Sequence, residues 1–423
     1  MQGMVMKRLA RMGAVWSSAL GLMACDVLVP GEPDAAHIFD APIDGLTPAQ
    51  TRLFVMGDEE FSRSFSFSEG LGPIFNAPSC DSCHPGEGPG HPEFGFFRFG
   101  RYDAEGHFDA MLNEGGPQLQ DRAIPGYEPE VLPARDDIVF TRLLAPSITG
   151  LGLLESVDDA TLLALADPED EDGDGISGRI AWIEATARLD AMAGLAERGG
   201  GTRIQRHDRG YIGRFGLKAS SITLLHQTVT AYHQDMGLTS DFARVDPINV
   251  QVGDASADLV PDPELGSGTL TAVTHYLRTL RPPLRRNVDD PDVVAGEAIF
   301  ETIACASCHV PSLTTGTSTI AALSEVAFAP YTDLLLHDMG PELDDGYTEG
   351  GAQSREWRTA PLWGLGLAAD FQGGQGFYLH DGRARSVHEA IEHHGGEAAA
   401  SRQRYRELSA TERAQILAFL ESL

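Results

Sequence analysis

Two copies of one five-residue pattern constrain this chain more than any other feature. CDSCH occupies residues 80–84 and CASCH occupies residues 305–309, so that each copy reads Cys-x-x-Cys-His. Together they use four of the five cysteines in 423 residues. Two thiols at this spacing can add to the two vinyl groups of one haem, and the histidine that follows is then held below the ring, where it can bind iron. We therefore expect two covalently bound haem c groups.

The two motifs also define the expected haem-binding residues. The thioether cysteines and proximal iron ligands are expected to be Cys80, Cys83 and His84 for the first haem, and Cys305, Cys308 and His309 for the second. Other uses of four cysteines fit less well. Disulfide bonds would leave both adjacent histidines unexplained, and a zinc site would have to join two thiolate pairs that lie far apart in the sequence. A redox dithiol needs only one such pair and no histidine.

The first residues have the pattern of an export signal. Three basic residues precede a short apolar stretch, which ends at Cys25 within LMAC. We interpret residues 1–24 as a lipoprotein signal peptide, Cys25 as the lipidated first residue of the mature chain, and residues 25–45 as a tether. A plain secretory signal with an incidental cysteine is the alternative. The protein is then expected to lie on the periplasmic side of a bacterial membrane, which it contacts through its N-terminal lipid only.

The charge balance limits the partners that the chain can bind. It contains 62 acidic and 31 basic residues, which gives a formal net charge of −31. Binding to phosphate groups requires clusters of Lys and Arg. The charge therefore argues against nucleic acid and anionic lipid surfaces as partners, and favours basic or neutral ones.

Each motif has similar sequence signals before and after it. GDEEF begins at Gly57 and GEAIF begins at Gly296, and both read Gly-x-x-x-Phe on a predicted helix that precedes the haem cysteines. Each half of the chain also ends in a predicted amphipathic helix. In the last helix, Ser409 and Glu412 have the spacing of a capping box.

These signals predict a mainly α-helical protein of two cytochrome-c-like haem domains. The N-terminal domain is expected to span residues 46–284 and the C-terminal domain residues 285–423. The first domain is longer because of an insertion at about residues 95–215, which is rich in glycine, proline and charge and is expected to be loop-rich.

An acidic stretch within this insertion resembles a calcium-binding loop. Asp170, Asp172 and Asp174 alternate and are followed by Gly175, as in such loops. The glutamate expected to close the loop is absent, because that position is Ala181. A calcium site and a solvated acidic turn are therefore both open interpretations.

Several further motifs, in order from about residue 70 to the C-terminus, resemble those of a known family. They are GGPQLQDRAIPG, ITGLGLLESV, DGDGISGR, RFGLKA, QDMGLTS, FETIACASCHVPSL, HDMG, RTAPLWGLG and LHDGRARSVHEAIEHHGGEA. The family is that of the bacterial di-haem oxidoreductases, peroxidase-like proteins that are sometimes called thiol oxidoreductases. They are distant relatives of the bacterial di-haem cytochrome c peroxidases, in which one haem relays electrons and the other meets peroxide.

The resemblance implies a sixth ligand for the C-terminal haem. Aligned with the peroxidases, which usually have methionine there, the chain places His394 at the ligand position, with Met339 as the rival and His380 as a supporting residue. On the residues alone, EHHGG ends a predicted helix that Gly395 would cap, and His393 and His394 point to different faces. Only one of the two should reach iron, and histidine in place of methionine would lower the potential of that haem.

The resemblance also implies distal residues for the N-terminal haem. It transfers the roles of a peroxidase glutamine and an acidic residue to Gln227 and Asp235, which together could move a proton between the two oxygens of a peroxide. His226 or His233 could instead fill the sixth position and turn this haem into a relay. Relatives often carry a tryptophan between the haems. This chain has Leu217 near that position, so the sequence does not support electron relay through a tryptophan there.

The function expected from these features is that of a di-haem c-type cytochrome with peroxidase-like activity. The C-terminal haem would relay electrons to a peroxide-reactive N-terminal haem. The expected partners are a redox donor protein or a quinol-linked electron source, together with peroxide or another small oxidant. The alternative is a non-catalytic periplasmic electron-transfer cytochrome in which both irons are fully ligated.

Overall fold

The computed structural model describes residues 39–201, 203–253, 258 and 260–423. The predicted signal peptide, the predicted lipidation site Cys25 and most of the predicted tether lie outside these residues. The last residues of the tether are described, and they pack against the end of a helix: the Ile43 amide donates to the Thr279 carbonyl at 2.7 Å. None of the helices in the described residues is both long and apolar enough to cross a membrane.

The described residues contain more helix than strand, with long irregular connections. The helices are α1 (Pro48–Ser62), α2 (Leu151–Glu155), α3 (Asp159–Leu165), α4 (Ala187–Arg198), α5 (Leu224–Met236), α6 (Ser267–Thr279), α7 (Pro291–Thr302), α8 (Ala368–Phe371), α9 (Val387–Glu392), α10 (Ala399–Glu407) and α11 (Ala410–Ser422). The strands are β1 (Ile74–Phe75), β2 (Phe96–Tyr102), β3 (Phe108–Asp109), β4 (Arg122–Ala123), β5 (Ile138–Leu143), β6 (Trp182–Ile183), β7 (Tyr211–Ile212), β8 (Leu313–Thr314), β9 (Ala327–Phe328), β10 (Leu336–Asp338) and β11 (Glu356–Arg358). They pair in small antiparallel sheets, of which β3-β2-β5 is the largest.

The same helix pair occurs in both halves of the chain. Helix α1 packs on α6 in the first half, and α7 packs on α11 in the second. The predicted glycines lie at these crossings: a Cβ atom on Gly57 would lie 2.2 Å from the carbonyl oxygen of Ala272, and one on Gly296 would lie 2.1 Å from that of Gln415. Each glycine therefore allows two helix backbones to approach more closely than any side chain would permit.

Each crossing also places an aromatic ring beside a motif histidine. Phe61 on α1 lies 6.2 Å from the ring of His84, and Phe300 on α7 lies 6.4 Å from the ring of His309, measured between ring centroids. The two Gly-x-x-x-Phe phrases thus have one structural role: the glycine sets the helix crossing, and the phenylalanine packs beside the histidine. This explains why a similar phrase precedes both motifs.

Replacing Gly57 with alanine is expected to lower the free energy of unfolding by about 1–3 kcal/mol, because the new methyl group meets a backbone carbonyl that cannot move aside. Gly268, in the first turn of α6, is a matched control, since a Cβ atom there would contact nothing within 4 Å. Gly268→Ala should leave stability unchanged or raise it by up to about 1 kcal/mol. Denaturant unfolding of the haem-loaded proteins measures both, and equal effects of the two substitutions would contradict this explanation.

The buried apolar side chains form two large clusters and several smaller ones. The larger is built on α1, α5 and α6 and also includes side chains from beyond residue 300, such as Leu313 and Trp363. The smaller is built on α7 and α11. Because the larger cluster draws side chains from both halves, the described residues pack as one unit. The predicted division at residue 285 into two haem domains stays a prediction.

The predicted insertion, residues 95–215, contains more regular structure than its composition indicated. It includes the three-stranded sheet and the helices α2, α3 and α4. Buried ion pairs hold it in place: Arg278 on α6 pairs with Glu155 on α2, and Arg214 pairs with Asp159 on α3. These four side chains are almost completely buried, so removing one partner would leave an uncompensated charge in the interior.

Two candidate haem sites

The first motif forms a tight turn on the wall of a large cavity. The amides of Cys83 and His84 both donate to the carbonyl of Cys80, at 3.1 and 3.0 Å. This turn places both sulfur atoms and the imidazole on one cavity of about 860 Å³, a size typical of cofactor-binding cavities. Neither cysteine forms a disulfide bond. The turn and the cavity together fit a porphyrin attached through the two sulfurs.

The His84 ring is neutral, which suits it to bind a metal. Burial lowers its pKa to about 4, and the carbonyl of Pro146 opposes this shift only weakly. Its Nδ1 atom is buried without a hydrogen-bond partner of acceptable geometry. An unprotonated imidazole offers a lone pair at neutral pH, which is the form that ligates iron.

Helix α5 forms another wall of this cavity and carries both predicted distal residues. Gln227 and Asp235 both line the cavity. Asp235 is half-buried, accepts a hydrogen bond from Nε2 of Gln118 at 2.6 Å, and has a pKa that burial raises. The two residues are eight positions apart, which separates their Cα atoms by about 12 Å along a helix. They therefore lie at opposite ends of the cavity wall.

The rings of both histidines on α5 form hydrogen bonds with backbone groups. Nδ1 of His226 accepts from the Ile222 amide at 3.4 Å, and Nε2 of His233 donates to the Val245 carbonyl at 2.9 Å. Burial lowers the pKa of both, to about 4 for His226, so each ring is neutral and carries its one proton on Nε2. In this arrangement neither ring presents an unprotonated Nε2 to the cavity.

Cationic side chains also line the cavity, and sequence reasoning did not single them out. Arg358 is half-buried, its pKa is lowered by burial to about 10, and it donates to the carbonyls of Gly216 and Thr359. Asp333 opposes this shift from a distance, and no carboxylate of the described residues forms an ion pair with Arg358. A half-buried guanidinium with donors to spare suits the carboxylate of a haem propionate. The signal available in the sequence was its position at the start of RTAPLWGLG.

The second motif has the same backbone turn, and here the proton of the histidine can be placed. The His309 amide donates to the Cys305 carbonyl at 3.0 Å. Nδ1 of His309 lies 2.9 Å from the carbonyl oxygen of Tyr331, which can only accept, so Nδ1 carries the proton. Burial lowers the pKa of His309 to about 4. Its Nε2 atom is therefore left with a free lone pair.

His394, whose ring lies near that of His309, has the same arrangement of its ring nitrogens. Its Nδ1 atom donates to the Ala390 carbonyl at 2.7 Å, and burial lowers its pKa, so its Nε2 atom is also unprotonated. The ring centroids of His309 and His394 lie 6.5 Å apart. A metal–imidazole bond is about 2 Å long and the ring centre lies about 1 Å further out, so two axial ligands of one iron have ring centres about 6 Å apart. The observed spacing matches this requirement.

The other residues considered for this haem lie elsewhere. His393 is partly exposed and lies 3.9 Å from Glu342, the side chain of Met339 packs in the apolar cluster of Trp357, and His380 stacks on Trp357 at 3.8 Å between centroids. The expected glycine cap is wrong: α9 ends at Glu392 and its C-cap is His393, which keeps a helical φ of −85°. Gly395 is instead extended, where it passes close to the backbone of Met339.

A buried charged cluster adjoins Cys308 and was not recognised from the sequence. His337 lies between Asp333, at 2.8 Å from Nε2, and Glu397, at 2.7 Å from Nδ1. Burial opposes the charge of His337, but hydrogen bonds with Asp333, Cys308 and Glu397 outweigh it and raise the pKa of His337 to about 12. With two carboxylates and one imidazolium, the cluster has a net negative charge beside the second motif.

In the predicted calcium loop, the acidic side chains that lie close together are not the three that were expected. Carboxylate oxygens of Asp167, Asp170 and Asp172 lie within 4.8 Å of one another. Asp174 is not part of this group, because its Oδ1 atom accepts from the Ile176 amide at 2.8 Å. The spacing of acidic residues indicated the loop but not which side chain closes the turn.

The chain was compared with known families, curated proteins and solved structures. The model of the family "Di-haem oxidoreductase, putative peroxidase" matches residues 131–423, and none of the curated proteins matches significantly. Hydrazine synthase of Kuenenia stuttgartiensis is 14% identical over the whole of both chains with a TM-score of 0.39. A MauG-like protein associated with microbial copper homeostasis is 16% identical, over 71% of this chain and 94% of its own, with a TM-score of 0.29. These TM-scores are too low to establish a shared fold, so only the family match bears on function.

Proposed function

This chain belongs to the di-haem oxidoreductase family, and from that premise we propose that it is a peroxidase-like enzyme with two covalently attached haem c groups. A haem held by Cys305, Cys308 and His309 would relay electrons to one held by Cys80, Cys83 and His84, which would meet peroxide. A bound haem supplies an iron that exchanges single electrons and that can bind a small oxidant where one axial position is open. The difference between the two sites supports this division of roles more than any other observation.

His309 and His394 are proposed as the two axial ligands of the second haem. Both rings are neutral and half-buried, both hold their proton on Nδ1 against a carbonyl, and they are spaced for one iron. An iron with two histidine ligands has no position for peroxide and transfers electrons instead. The net negative cluster around His337 favours the oxidised iron and so lowers its potential, which suits a donor.

The first haem is proposed to keep an open sixth position. His84 is its proximal ligand, while His226 and His233 each carry a proton on Nε2. Arg358 is the proposed partner of a propionate. The electron-carrier alternative requires a sixth ligand here, and neither of the two histidines on α5 offers an unprotonated Nε2 in this arrangement.

Asp235 and Gln227 are proposed as the residues that handle the oxidant. Burial raises the pKa of Asp235, so its carboxyl group holds a proton more readily than an exposed one and can act as an acid in a closed cavity. Gln118 holds this carboxyl in place. Gln227, further along α5, offers an amide that can donate to an oxygen or accept from it.

Replacing Asp235 with asparagine is expected to lower kcat for peroxide reduction about 100-fold or more, because the shape is kept while the acid is lost. Asp121→Asn is the matched control, since Asp121 also lines the cavity but is exposed, and it should retain most of the activity. Steady-state turnover with a chemical electron donor measures this effect, with haem content determined for each variant. Full activity of Asp235→Asn at normal haem content would contradict the role.

The location and the partners are proposed from the sequence. Export, with lipid attached at Cys25, would place the enzyme on the periplasmic side of a bacterial membrane, where a redox donor protein or a quinol-linked source supplies electrons. The large negative charge favours a donor with a basic surface and argues against nucleic acid.

A further inference from the structure

Three carboxylates converge in the connection between α5 and α6. Oxygens of Asp246, Asp262 and Glu264 lie within 4.8 Å of one another. Asp258 adjoins them: its amide donates to Oδ2 of Asp246 at 3.0 Å, and its carboxylate helps to raise the pKa of Asp246. We call these four residues the acidic pocket. It lies apart from both haem motifs and from the Asp167, Asp170 and Asp172 group in the insertion.

The acidic pocket contains buried oxygen atoms with no partner. Asp246 is only 5% exposed, and its Oδ1 atom has no hydrogen-bond partner in the described residues, nor do Oδ2 of Asp258 and Oε1 of Glu264. The second oxygens of these side chains are used: Oε2 of Glu264, for example, accepts from the amide and hydroxyl of Thr239 at 2.8 and 2.6 Å. One oxygen of each residue is thus held by the backbone or a side chain, and the other is left free.

No basic side chain neutralises this charge within the described residues. The nearest arginine in sequence, Arg244, is exposed and pairs with Asp241 instead. Burial and the neighbouring carboxylates Asp262, Asp258 and Glu264 together raise the pKa of Asp246 to about 6. Buried carboxylates without hydrogen bonds or a counter-charge are costly, and in proteins such groups are usually paired or bound to a metal.

We propose that the acidic pocket binds one Ca²⁺ ion through Asp246, Asp262 and Glu264, with Asp258 beside the site. Carboxylate oxygens are hard ligands and favour Ca²⁺ or Mg²⁺ over transition metals. Bonds to Ca²⁺ are about 2.4 Å long, so oxygens on opposite sides of the ion lie about 4.8 Å apart, whereas the octahedron around Mg²⁺ is smaller and usually keeps several waters. Three protein carboxylates on irregular backbone fit the larger ion.

The position of the pocket gives the ion a structural role at the first haem cavity. Thr239 follows α5, the helix that carries Asp235, and holds Glu264, which lies three residues before α6. The Leu265 amide donates to the Thr239 carbonyl at 3.1 Å. A cation here would therefore join the end of one cavity-lining helix to the start of another.

The Asp167 group supplies a contrast. Its carboxylates accept from amides of their own turn, and none of their oxygens is buried without a partner. Asp170→Asn is accordingly a matched control for Asp246→Asn. Both substitutions remove one negative charge from an acidic cluster and keep the shape of the side chain.

The experiment uses the full haem-loaded chain after treatment with a chelator. Addition of 1 mM Ca²⁺, that is about 100-fold above a Kd of about 10 µM, should raise the melting temperature of wild type and of Asp170→Asn by about 5 °C. Asp246→Asn should lose most of this shift. In chelator alone it should melt no lower than wild type, because it removes a buried charge that repels its neighbours. The same concentration of Mg²⁺ should have a much smaller effect.

Other outcomes would overturn the proposal. These are the absence of any Ca²⁺-dependent shift in wild type, an equal shift in Asp246→Asn, or loss of the shift in Asp170→Asn only, which would place the ion in the insertion. An equal effect of Mg²⁺ would overturn the assignment of calcium. Each readout is a melting temperature, so the result does not depend on whether the protein reduces peroxide.

Discussion

Changing both cysteines of one motif to serine is expected to remove the mass of one haem from the protein. Cys80→Ser with Cys83→Ser should leave only the second haem, and Cys305→Ser with Cys308→Ser only the first, because serine cannot form the thioether bonds. All four changes together should remove both haems. Intact mass and the pyridine haemochrome band, measured on protein made in a host that matures c-type cytochromes, determine the number of haems attached.

The fifth cysteine provides the control for this series. Cys25→Ser removes a thiol and leaves both motifs intact, so it should retain both haems while moving the protein from the membrane fraction to the soluble fraction. A wild-type protein with the mass of the bare polypeptide would contradict covalent attachment. Loss of haem from Cys25→Ser would contradict the separate roles of the cysteines.

Replacing His394 with methionine is expected to raise the potential of the second haem by on the order of 0.1 V, because axial methionine favours the reduced iron more than histidine does. Replacing it with alanine should instead open the sixth position and convert this iron from low spin to high spin. His393→Ala is the matched control, since His393 is the neighbouring residue, is partly exposed and lies beside Glu342. It should leave the potential and the spin state unchanged.

Redox titration followed at the haem absorption bands measures both effects. If His394→Ala left two spectra like those of wild type, or if His393→Ala changed the spin state, His394 would not be the ligand. Met339 would then be the residue to test, although its side chain packs against the apolar cluster of Trp357 in this structure.

Local features of the fold could be predicted because neighbouring residues determine them. The helices that carry Gly57 and Gly296, and the capping box of Ser409 and Glu412, are confirmed, since each rests on spacings of a few residues. The family was also recognised from its motifs and is confirmed by the match over residues 131–423. The two Cys-x-x-Cys-His turns have the same backbone hydrogen bond in both places.

Other features depend on contacts between distant parts of the chain, which spacing does not reveal. The carbonyl groups of Tyr331 and Ala390 decide which nitrogen of His309 and His394 carries the proton, and no pattern in the sequence marks a carbonyl group. Arg358 likewise reaches the first cavity only because β11 runs beside Leu217, whose carbonyl accepts from the Arg358 amide.

The acidic residues show the same limitation. The sequence drew attention to Asp174, which follows the calcium pattern, but that side chain closes its own turn. Asp246 and Glu264 follow no recognised pattern, yet folding brings them together and leaves one oxygen of each without a partner. The spacing of a motif can predict ligands that are close together in the sequence. Ligands that are far apart in the sequence are recognised only in the structure, where they are buried and leave polar atoms without a hydrogen-bond partner.

The spin state of the two irons tests the proposed division of roles most directly. Low-temperature EPR of the oxidised, haem-loaded protein should show one high-spin and one low-spin ferric iron in equal amounts, and cyanide or peroxide should change only the high-spin signal. His394 accounts for the low-spin iron, and the cavity lined by Asp235 and Gln227 accounts for the reactive one. Two low-spin irons that do not respond to cyanide or peroxide would contradict this account and identify the protein as an electron carrier.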